Sequence, residues 1–435
     1  MSTEKTIRPY TDLASELFHA AQRGHADALH KTGNPLHDSG FDYSEHRFGR
    51  IVREKLVLAT EEAAAVLGKT VGTYYTIHTG DIRLLGEEDY ASCRNALCAT
   101  ILDAAKQLCP DFRLPADPCV SAVSDENAAD QTAPLQTTVD DAGAEAWDRL
   151  AVSPEWDQGS HLRPVPPADL CGDAAANKIH AEGEPFLTDD TDRTAVTDIP
   201  PTPASVLTPF RPMTVLAVGL GNPALTSDAL GPMCTSQLIV TRHLAENAPA
   251  NRITGCRMHR LCAVTPLVLG KTGIETLELV RGAVHTAKPD LVILIDALAA
   301  SELGSLTQTV QISTTGIHPG SGVGNKRQRL DRDTLGVPVM TVGIPTVIAA
   351  STLIYRALEA ADILPQENSP VPARDAVLHS ALAAADVGHV TPKDIDSTAA
   401  SFASLIAYAV NRLVLGSAMA SSLGGTDRYF PLNRF

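Results

Sequence analysis

The chain lacks several features that would place it on nucleic acid or outside the cell. Lys and Arg number 35 against 51 Asp and Glu, which gives a formal net charge of −16, whereas nucleic-acid binding needs clustered cations that release counterions. The eight cysteines form no C-x-x-C pair, and the amino-terminal MSTEKTIRPYTD lacks the apolar stretch of a secretory signal. We therefore expect a reducing, cytoplasmic compartment and no direct nucleic-acid partner.

Long uninterrupted apolar runs are also scarce. A membrane helix needs about 20 such residues, and Gly, Pro or Asp interrupts the longest apolar stretches, so we expect no membrane partner. Hydrophobic residues are nevertheless numerous enough to form a core, because they make up 44% of the 435 residues. This suffices for one large or two ordinary domains with a sizeable core, and predicts a soluble, globular protein.

The second half of the chain alternates apolar runs with helical patterns. MTVLAVGL, DLVILIDAL and VPVMTVGIP are rich in Val, Ile and Leu, which is typical of parallel strands covered on both faces. Helical stretches such as DALGPMCTSQLIVTRHLAEN and TGIETLELVRGAVHTA separate them. The alternation predicts an α/β fold with a doubly wound, mostly parallel sheet and flanking helices.

Upstream, RIVREKLVLA and GTYYTIHTG predict an N-terminal β-rich subregion, and EEDYASCRNALCATILDAAKQLC predicts a long helix. Residues 110–212 are rich in Pro, Ala, Asp and Thr and show little periodicity. Such a segment buries too little apolar surface to offset its ordering entropy. We interpret 110–212 as a low-complexity insertion between the N-terminal part of a catalytic domain, 17–109, and the main α/β catalytic region, 213–435.

Two aspartates follow two of the predicted strands, and ligands of open parallel sheets bind outside the carboxyl ends of the strands. Asp228 lies in GLGNPALTSDALGP, where Gly219 and Gly221 favour a tight turn. Asp296 ends the wholly apolar run DLVILI. If the two strands are neighbours, both carboxylates face one crevice.

Two carboxylates that share a crevice cannot both ionise cheaply, so the pair retains a proton and can perform acid–base catalysis on a peptide bond. We expect Asp228 in the first turn of a helix, where the helix N-terminus favours its anion and makes it the base. Asp296 is then the acid. The alternative is that both aspartates have structural roles only.

The loop TTGIHPGSGVGNKR is a further candidate, because its glycines allow close backbone approach and successive N–H groups can hold an oxyanion or a substrate strand. His318 is the alternative catalytic group. The accessory or substrate-binding candidates from this loop and from the turn before Asp228 are His318, Ser321, Asn325, Lys326, Gly221 and Asn222.

Nucleotide and serine-hydrolase motifs match poorly. VGLGNPA approaches the dinucleotide signature but has Pro223 inside the turn, and GSGVGNKR lacks the second glycine and the Ser or Thr of a phosphate loop. Ser321 lies in P-G-S-G rather than in the G-x-S-x-G elbow. A non-catalytic nucleotide-binding module is therefore the least favoured hypothesis.

The order of several segments resembles the spore germination protease family. GLGNPALTSDALGP, TGIETLELVRG, KPDLVILIDALAA, QISTTGIHPGSGVGNKR and GVPVMTVGIPTV succeed one another as that family's blocks do, strongly over residues 213–357. The resemblance implies an atypical aspartic endopeptidase that degrades small acid-soluble spore proteins during germination, in the cytoplasm of the spore core. It also implies essential aspartates at Asp228 and Asp296 and a homotetramer. We expect no cofactor.

The resemblance further implies a fold similar to that of hydrogenase-maturation proteases, which bind a metal through acidic residues and a histidine. Carboxylate and imidazole ligands suit several divalent ions. The alternative function is thus a metal-dependent maturation-type peptidase, or a metal-binding recognition module, that uses Asp228, Asp296 and His318.

The resemblance also implies a zymogen that trims its own N-terminus at a sequence similar to Glu-(Ile/Phe)-Ala-Ser-Glu. The matching residues are Asp12, Leu13, Ala14, Ser15 and Glu16, at the start of a predicted short amphipathic helix. We therefore expect residues 1–16 to form a propeptide with this cleavage region, and removal of roughly the first 13 residues, to within the few residues that sequence patterns define.

Overall fold

The computed structural model describes residues 11–24, 40–115, 210–245, 258–319, 327–361 and 388–416. They belong to one compact unit made of Met1–Ala122 and Thr208–Phe435. Most of the proposed insertion at 110–212 lies outside the described residues, as do Ser321, Asn325 and Lys326.

The described strands form one sheet. They are β1 (Phe41–Phe48), β2 (Ile51–Leu58), β3 (Gly72–His78), β4 (Thr214–Gly219), β5 (Arg260–Val264), β6 (Leu291–Ala300), β7 (Thr309–Ser313), β8 (Val339–Ala349) and β9 (His389–Val390). Their order is β1-β2-β3-β7-β8-β6-β4-β5, with β9 paired to β8. Parallel pairing joins β8, β6, β4 and β5, and antiparallel pairing adds β7 and the N-terminal strands to the same sheet. The predicted α/β fold with N-terminal strands is confirmed.

Helices cover both faces of the sheet. They are α1 (Ala14–Gly24), α2 (Glu61–Leu67), α3 (Glu87–Leu108), α4 (Leu230–Thr235), α5 (Arg242–Ala245), α6 (Leu269–Thr272), α7 (Thr276–Ala287), α8 (Arg332–Leu335), α9 (Ala350–Ala360) and α10 (Ile395–Leu415). Alternate residues of β4 and β6 face opposite ways, so Ile293 and Ile295 pack with α3, α4 and α10, whereas Val292 and Leu294 pack with α7. The sheet is therefore doubly wound.

The stretch DALGPMCTSQLIVTRHLAEN, predicted to be helical, is broken. The structure has a 3-10 helix at Thr226–Asp228, then α4 and α5, with non-helical residues between the last two. There the Ile239 N–H donates to Oδ1 of Asn411 and the Thr241 N–H donates to the Leu261 carbonyl. Bonds to α10 and β5 replace the helical ladder, so tertiary contacts override the local pattern.

α10 corrects one expectation drawn from the apolar runs. Its 21 residues are long and apolar enough to cross a membrane, with a mean hydropathy of 1.4 in an 18-residue window, but 78% of that window is buried inside the fold. Gly and Pro are absent from Ile395–Leu415, and the charged residues lie near its ends. Packing of α10 against α3, α4 and the sheet accounts for its composition.

α1 forms where the amphipathic pattern predicted it. Phe18 packs against Phe41 and Tyr43, with ring centroids 5.8 and 5.1 Å apart. Together with Ala14 it joins a small core shared with β1, β2 and α2. The start of α1 is therefore fixed against the N-terminal strands, which positions the residues just before it.

Candidate active site

The structure brings the two predicted aspartates to one crevice. β4 and β6 are parallel neighbours, with Gly219 paired to Ile295, so the loops at their carboxyl ends lie together at the same edge of the sheet. Asp228 and Asp296 both line a cavity of about 490 Å³ at this edge. Asp296 is 6% exposed and Asp228 is half-buried.

A glycine turn holds Asp228. Gly221 has φ +112°, and a Cβ on it would lie 2.0 Å from the Asp228 carbonyl oxygen. The Asn222 N–H donates to that carbonyl at 3.0 Å and to Asp228 Oδ2 at 2.9 Å. In the structure Gly221 and Asn222 therefore position the carboxylate.

The local environment of Asp228 differs from the expected first turn of a helix. Asp228 ends the 3-10 helix Thr226–Asp228, and Ala229 separates it from the six-residue α4. So short a helix supplies little macrodipole, which leaves the Asn222 N–H as the donor that favours the anion.

The two carboxyl groups have unequal acidities. Burial raises the pKa of Asp228 to about 6, against the hydrogen bond from the Asn222 N–H. Burial, then the charge of Asp228, then that of Asp12 raise the pKa of Asp296 well above its ordinary value, despite a hydrogen bond from the Ala297 N–H. Above a pH of about 6 Asp228 is ionised, while deep burial favours the protonated form of Asp296.

The chain's own N-terminal segment is bound along the carboxyl-terminal end of β6. Asp12 and Ala299 exchange two hydrogen bonds of 2.9 Å, from the Asp12 N–H to the Ala299 carbonyl and from the Ala299 N–H to Asp12 Oδ2. The Asp12 carbonyl accepts from Lys69 Nζ at 2.9 Å. Asp12 lines the aspartate cavity and also a second cavity of about 320 Å³ that includes Lys69.

The remaining residues of the proposed cleavage region anchor this segment. Leu13 is fully buried, and Ala14, Ser15 and Glu16 form the first turn of α1. Glu16 Oε2 accepts from the Ser301 N–H and Oγ, each at 2.8 Å. Asp12 is thus the member of the region that faces the aspartates, while the others fix it in place.

His318 lines both cavities, so the structure brings it to the site. Burial and then the charge of Arg329 hold its pKa below the ordinary value, partly offset by Asp331. Within the described ranges, no group of three His, Cys, Asp or Glu side chains converges closely enough to hold a metal ion. The three ligands of the alternative metal site are therefore not assembled.

Two cations contribute to the site: sequence reasoning missed Lys69 but not Arg327, which follows the loop candidate Lys326 and could neutralise charge near the aspartates. Lys69 follows α2, far from the strand ends in the chain, and its sequence LGKT carries no catalytic signature. Arg327 lines the aspartate cavity and pairs with Glu275 at 3.5 Å. The only available signal for Lys69 was its positive charge, which more often marks a solvated surface.

Comparison with known proteins identifies relatives of the region that carries the aspartates. Residues 210–361 match the family model described as germination protease. A germination protease of Clostridium acetobutylicum is 44% identical over 216 residues, which cover 46% of this chain and 64% of that protein. One of Bacillus subtilis (strain 168) is 54% identical over 138 residues, 32% of this chain and 37% of that protein. The matches thus span less than two thirds of these relatives.

Among solved structures, a [NiFe] hydrogenase maturation protease, HycI from Thermococcus kodakarensis KOD1, aligns with 46% of this chain and 92% of its own. The identity is 16% and the TM-score 0.22, too low to carry an argument. The sequence matches are the informative ones, since they cover both aspartates and the strands that hold them. Residues 210–361 of the chain are thus similar to the germination protease family.

Proposed function

We propose that the protein is an endopeptidase that hydrolyses small acid-soluble spore proteins during germination, with Asp228 and Asp296 as its acid/base dyad. The observation that carries the proposal is the pair of carboxyl groups of unequal, raised pKa on one cavity, beside a bound peptide segment. The germination protease matches support the peptidase class, and the resemblance supports the substrate. We also propose that the protein forms a homotetramer and is located in the cytoplasm of the spore core.

The unequal acidities define the roles. The Asp228 carboxylate removes a proton from a water molecule, whose oxygen forms a bond to the peptide carbonyl carbon. Protonated Asp296 gives its proton to the leaving nitrogen as the C–N bond breaks. The products are a new carboxyl group and a new amine, and transfer of the proton from Asp228 to Asp296 restores the starting state.

The same dyad accounts for self-processing of a zymogen. The segment from Thr11 to Leu13 is not helical, whereas α1 begins at Ala14, and a peptide bond must be free of helical packing to enter a cleft. Asp12 lines the aspartate cavity. Within the expected cleavage region, we therefore propose the Asp12–Leu13 bond as the one that is cleaved.

A peptide containing Glu-Phe-Ala-Ser-Glu tests the activity directly. We expect the full chain to cleave it after incubation that allows self-processing, and Asp228→Asn to lower the rate by about 10²–10⁴, the usual worth of a general base. Asp42→Asn, an exposed substitution on β1, is the matched control and should leave the rate unchanged. Retention of activity by Asp228→Asn refutes the dyad, and loss of activity on exhaustive chelation favours the metal-dependent alternative.

The pH profile gives an independent check. Because the pKa of Asp228 is raised to about 6, its base form is lost as the pH falls through 6, and kcat/KM for the peptide is expected to fall about tenfold per pH unit below that value. At higher pH the rate is expected to decline as Asp296 ionises. An acidic midpoint at 3.8, the ordinary value for Asp, contradicts the assignment of Asp228 as base.

A further inference from the structure

Lys69 makes a contact that an ordinary surface lysine does not make. Its ammonium donates to the carbonyl oxygen of Asp12 at 2.9 Å, on the peptide bond that joins Asp12 to Leu13. This carbonyl belongs to the residue that lines the aspartate cavity. A cation is thus bonded to the oxygen that becomes negative when water adds to this carbonyl.

The position of Lys69 is fixed at both ends of its side chain. Gly68 closes α2 in a left-handed conformation with φ +61°, and the Lys69 N–H then donates to the Ala64 carbonyl at 2.9 Å. At the other end, the two hydrogen bonds between Asp12 and Ala299 hold the acceptor carbonyl. A donor fixed before the reaction needs little reorganisation during it.

Two carboxylates act on the charge of the Lys69 ammonium, against the effect of burial. The side chain is half-buried, and burial lowers the pKa of its ammonium, while the carboxylates of Asp12 and Glu16 oppose that shift. His318 lies close enough for the charge of Lys69 to affect its pKa. The half-buried ammonium therefore lies at the site where a negative charge would develop, with only part of its surface in contact with water.

We propose that Lys69 is a catalytic residue of self-processing, and that its ammonium stabilises the oxyanion formed on the Asp12 carbonyl. This rests on the proposed function of the dyad. The water oxygen bonds to the Asp12 carbonyl carbon, the electron pair of the C=O π bond moves to the oxygen beside Lys69, and Asp228 holds the water proton. When the pair returns, the C–N bond breaks and Asp296 protonates the Leu13 nitrogen.

A role in anchoring alone would have different consequences. An anchor keeps the segment bound but does not affect the reaction at a bound carbonyl. Loss of an anchor should therefore speed the amide hydrogen exchange of Thr11–Glu16. Removal of the Lys69 ammonium leaves other anchors in place, because Asp12 is still held by Ala299 and Glu16 by Ser301. The two roles are therefore separable by experiment.

Self-processing of the full chain is measured by mass spectrometry of the new N-terminus across a range of pH. We expect Lys69→Met to slow the appearance of a chain that begins at Leu13 by about 10²–10³, the usual effect of removing one oxyanion donor. Lys69→Arg should retain most of the rate because Arg stays charged. Lys106→Met, on the exposed face of α3, is the control and should process as the wild type does.

Binding of the segment is measured separately in an Asp228→Asn background, in which processing is expected to be slow. Amide hydrogen exchange of residues 11–18 should be equally slow with and without Lys69→Met. Processing of Lys69→Met at the wild-type rate overturns the proposal. So does an increase in amide exchange of residues 11–18 that is large enough to explain the whole loss of processing rate. Absence of a Leu13 N-terminus from the wild type also overturns it. Failure of the dyad is recognised independently, by normal processing in Asp228→Asn.

Discussion

Replacing Asp296 with Asn is expected to reduce both self-processing and peptide cleavage by about 10²–10⁴, the usual contribution of a general acid. The amide keeps the shape of the side chain but has no acidic proton to give to the leaving nitrogen. N-terminal analysis of the full chain and kcat/KM on the Glu-Phe-Ala-Ser-Glu peptide measure the two losses. Asp42→Asn is the control, and an Asp296→Asn enzyme of normal activity would exclude the acid role.

The same substitution is expected to stabilise the fold at neutral pH. The pKa of Asp296 is raised above the 3.8 of an ordinary Asp, so the folded state favours the protonated form. Its contribution to stability is complete below pH 3.8 and is lost as the pH rises through the folded-state pKa. The difference in melting temperature between Asp296→Asn and the wild type should therefore be more positive at pH 8 than at pH 3.5. Residues that are needed for activity commonly lower the stability of the folded state in this way.

Replacing Gly221 with Ala is expected to lower activity by about 10² or more, because displacing a catalytic group by about 1 Å has effects of that size. A Cβ would lie 2.0 Å from the Asp228 carbonyl oxygen on a backbone with φ +112°. The turn must move, and the hydrogen bonds from the Asn222 N–H to Asp228 weaken with it. Unfolding by denaturant should also show a loss of about 1–3 kcal/mol.

The control for this change is Gly282→Ala on the exposed side of α7, where an added Cβ meets nothing within 4 Å. This variant should keep full activity and gain about 0.5–1 kcal/mol, as Ala replaces Gly within a helix. Comparable activity of the two variants would show that the Gly221 turn does not position Asp228.

The parts of the fold that the sequence could predict are those with a strong local signal. The apolar runs that became β4, β6 and β8 are buried on both faces, so their patterns were continuous rather than alternating. α3 and α7 likewise match their helical periodicity. The crevice could be predicted as well, because neighbouring parallel strands carry their carboxyl ends to one edge.

The features that the sequence could not supply depend on distant contacts. The bond between Asp12 and Ala299 joins residues 287 positions apart, and no local pattern indicates that the N-terminus continues along β6. The role of Lys69 depends on the same contact. The 3-10 turn at Asp228 was missed for a related reason, since Gly221 and Asn222 fix its geometry through backbone hydrogen bonds.

The full burial of Leu13 makes the proposed cut hard to reverse. Hydrolysis there would create a carboxylate on Asp12, beside the Lys69 ammonium, and an unpaired ammonium on the buried Leu13, where an intact peptide bond carries no charge. Unsolvated ions are far less tolerable in a protein interior than an amide. The new amino group of Leu13 must therefore move to a position where water solvates it. Return of the released N-terminal peptide would require this ammonium to be buried again, so the cleavage would be effectively irreversible.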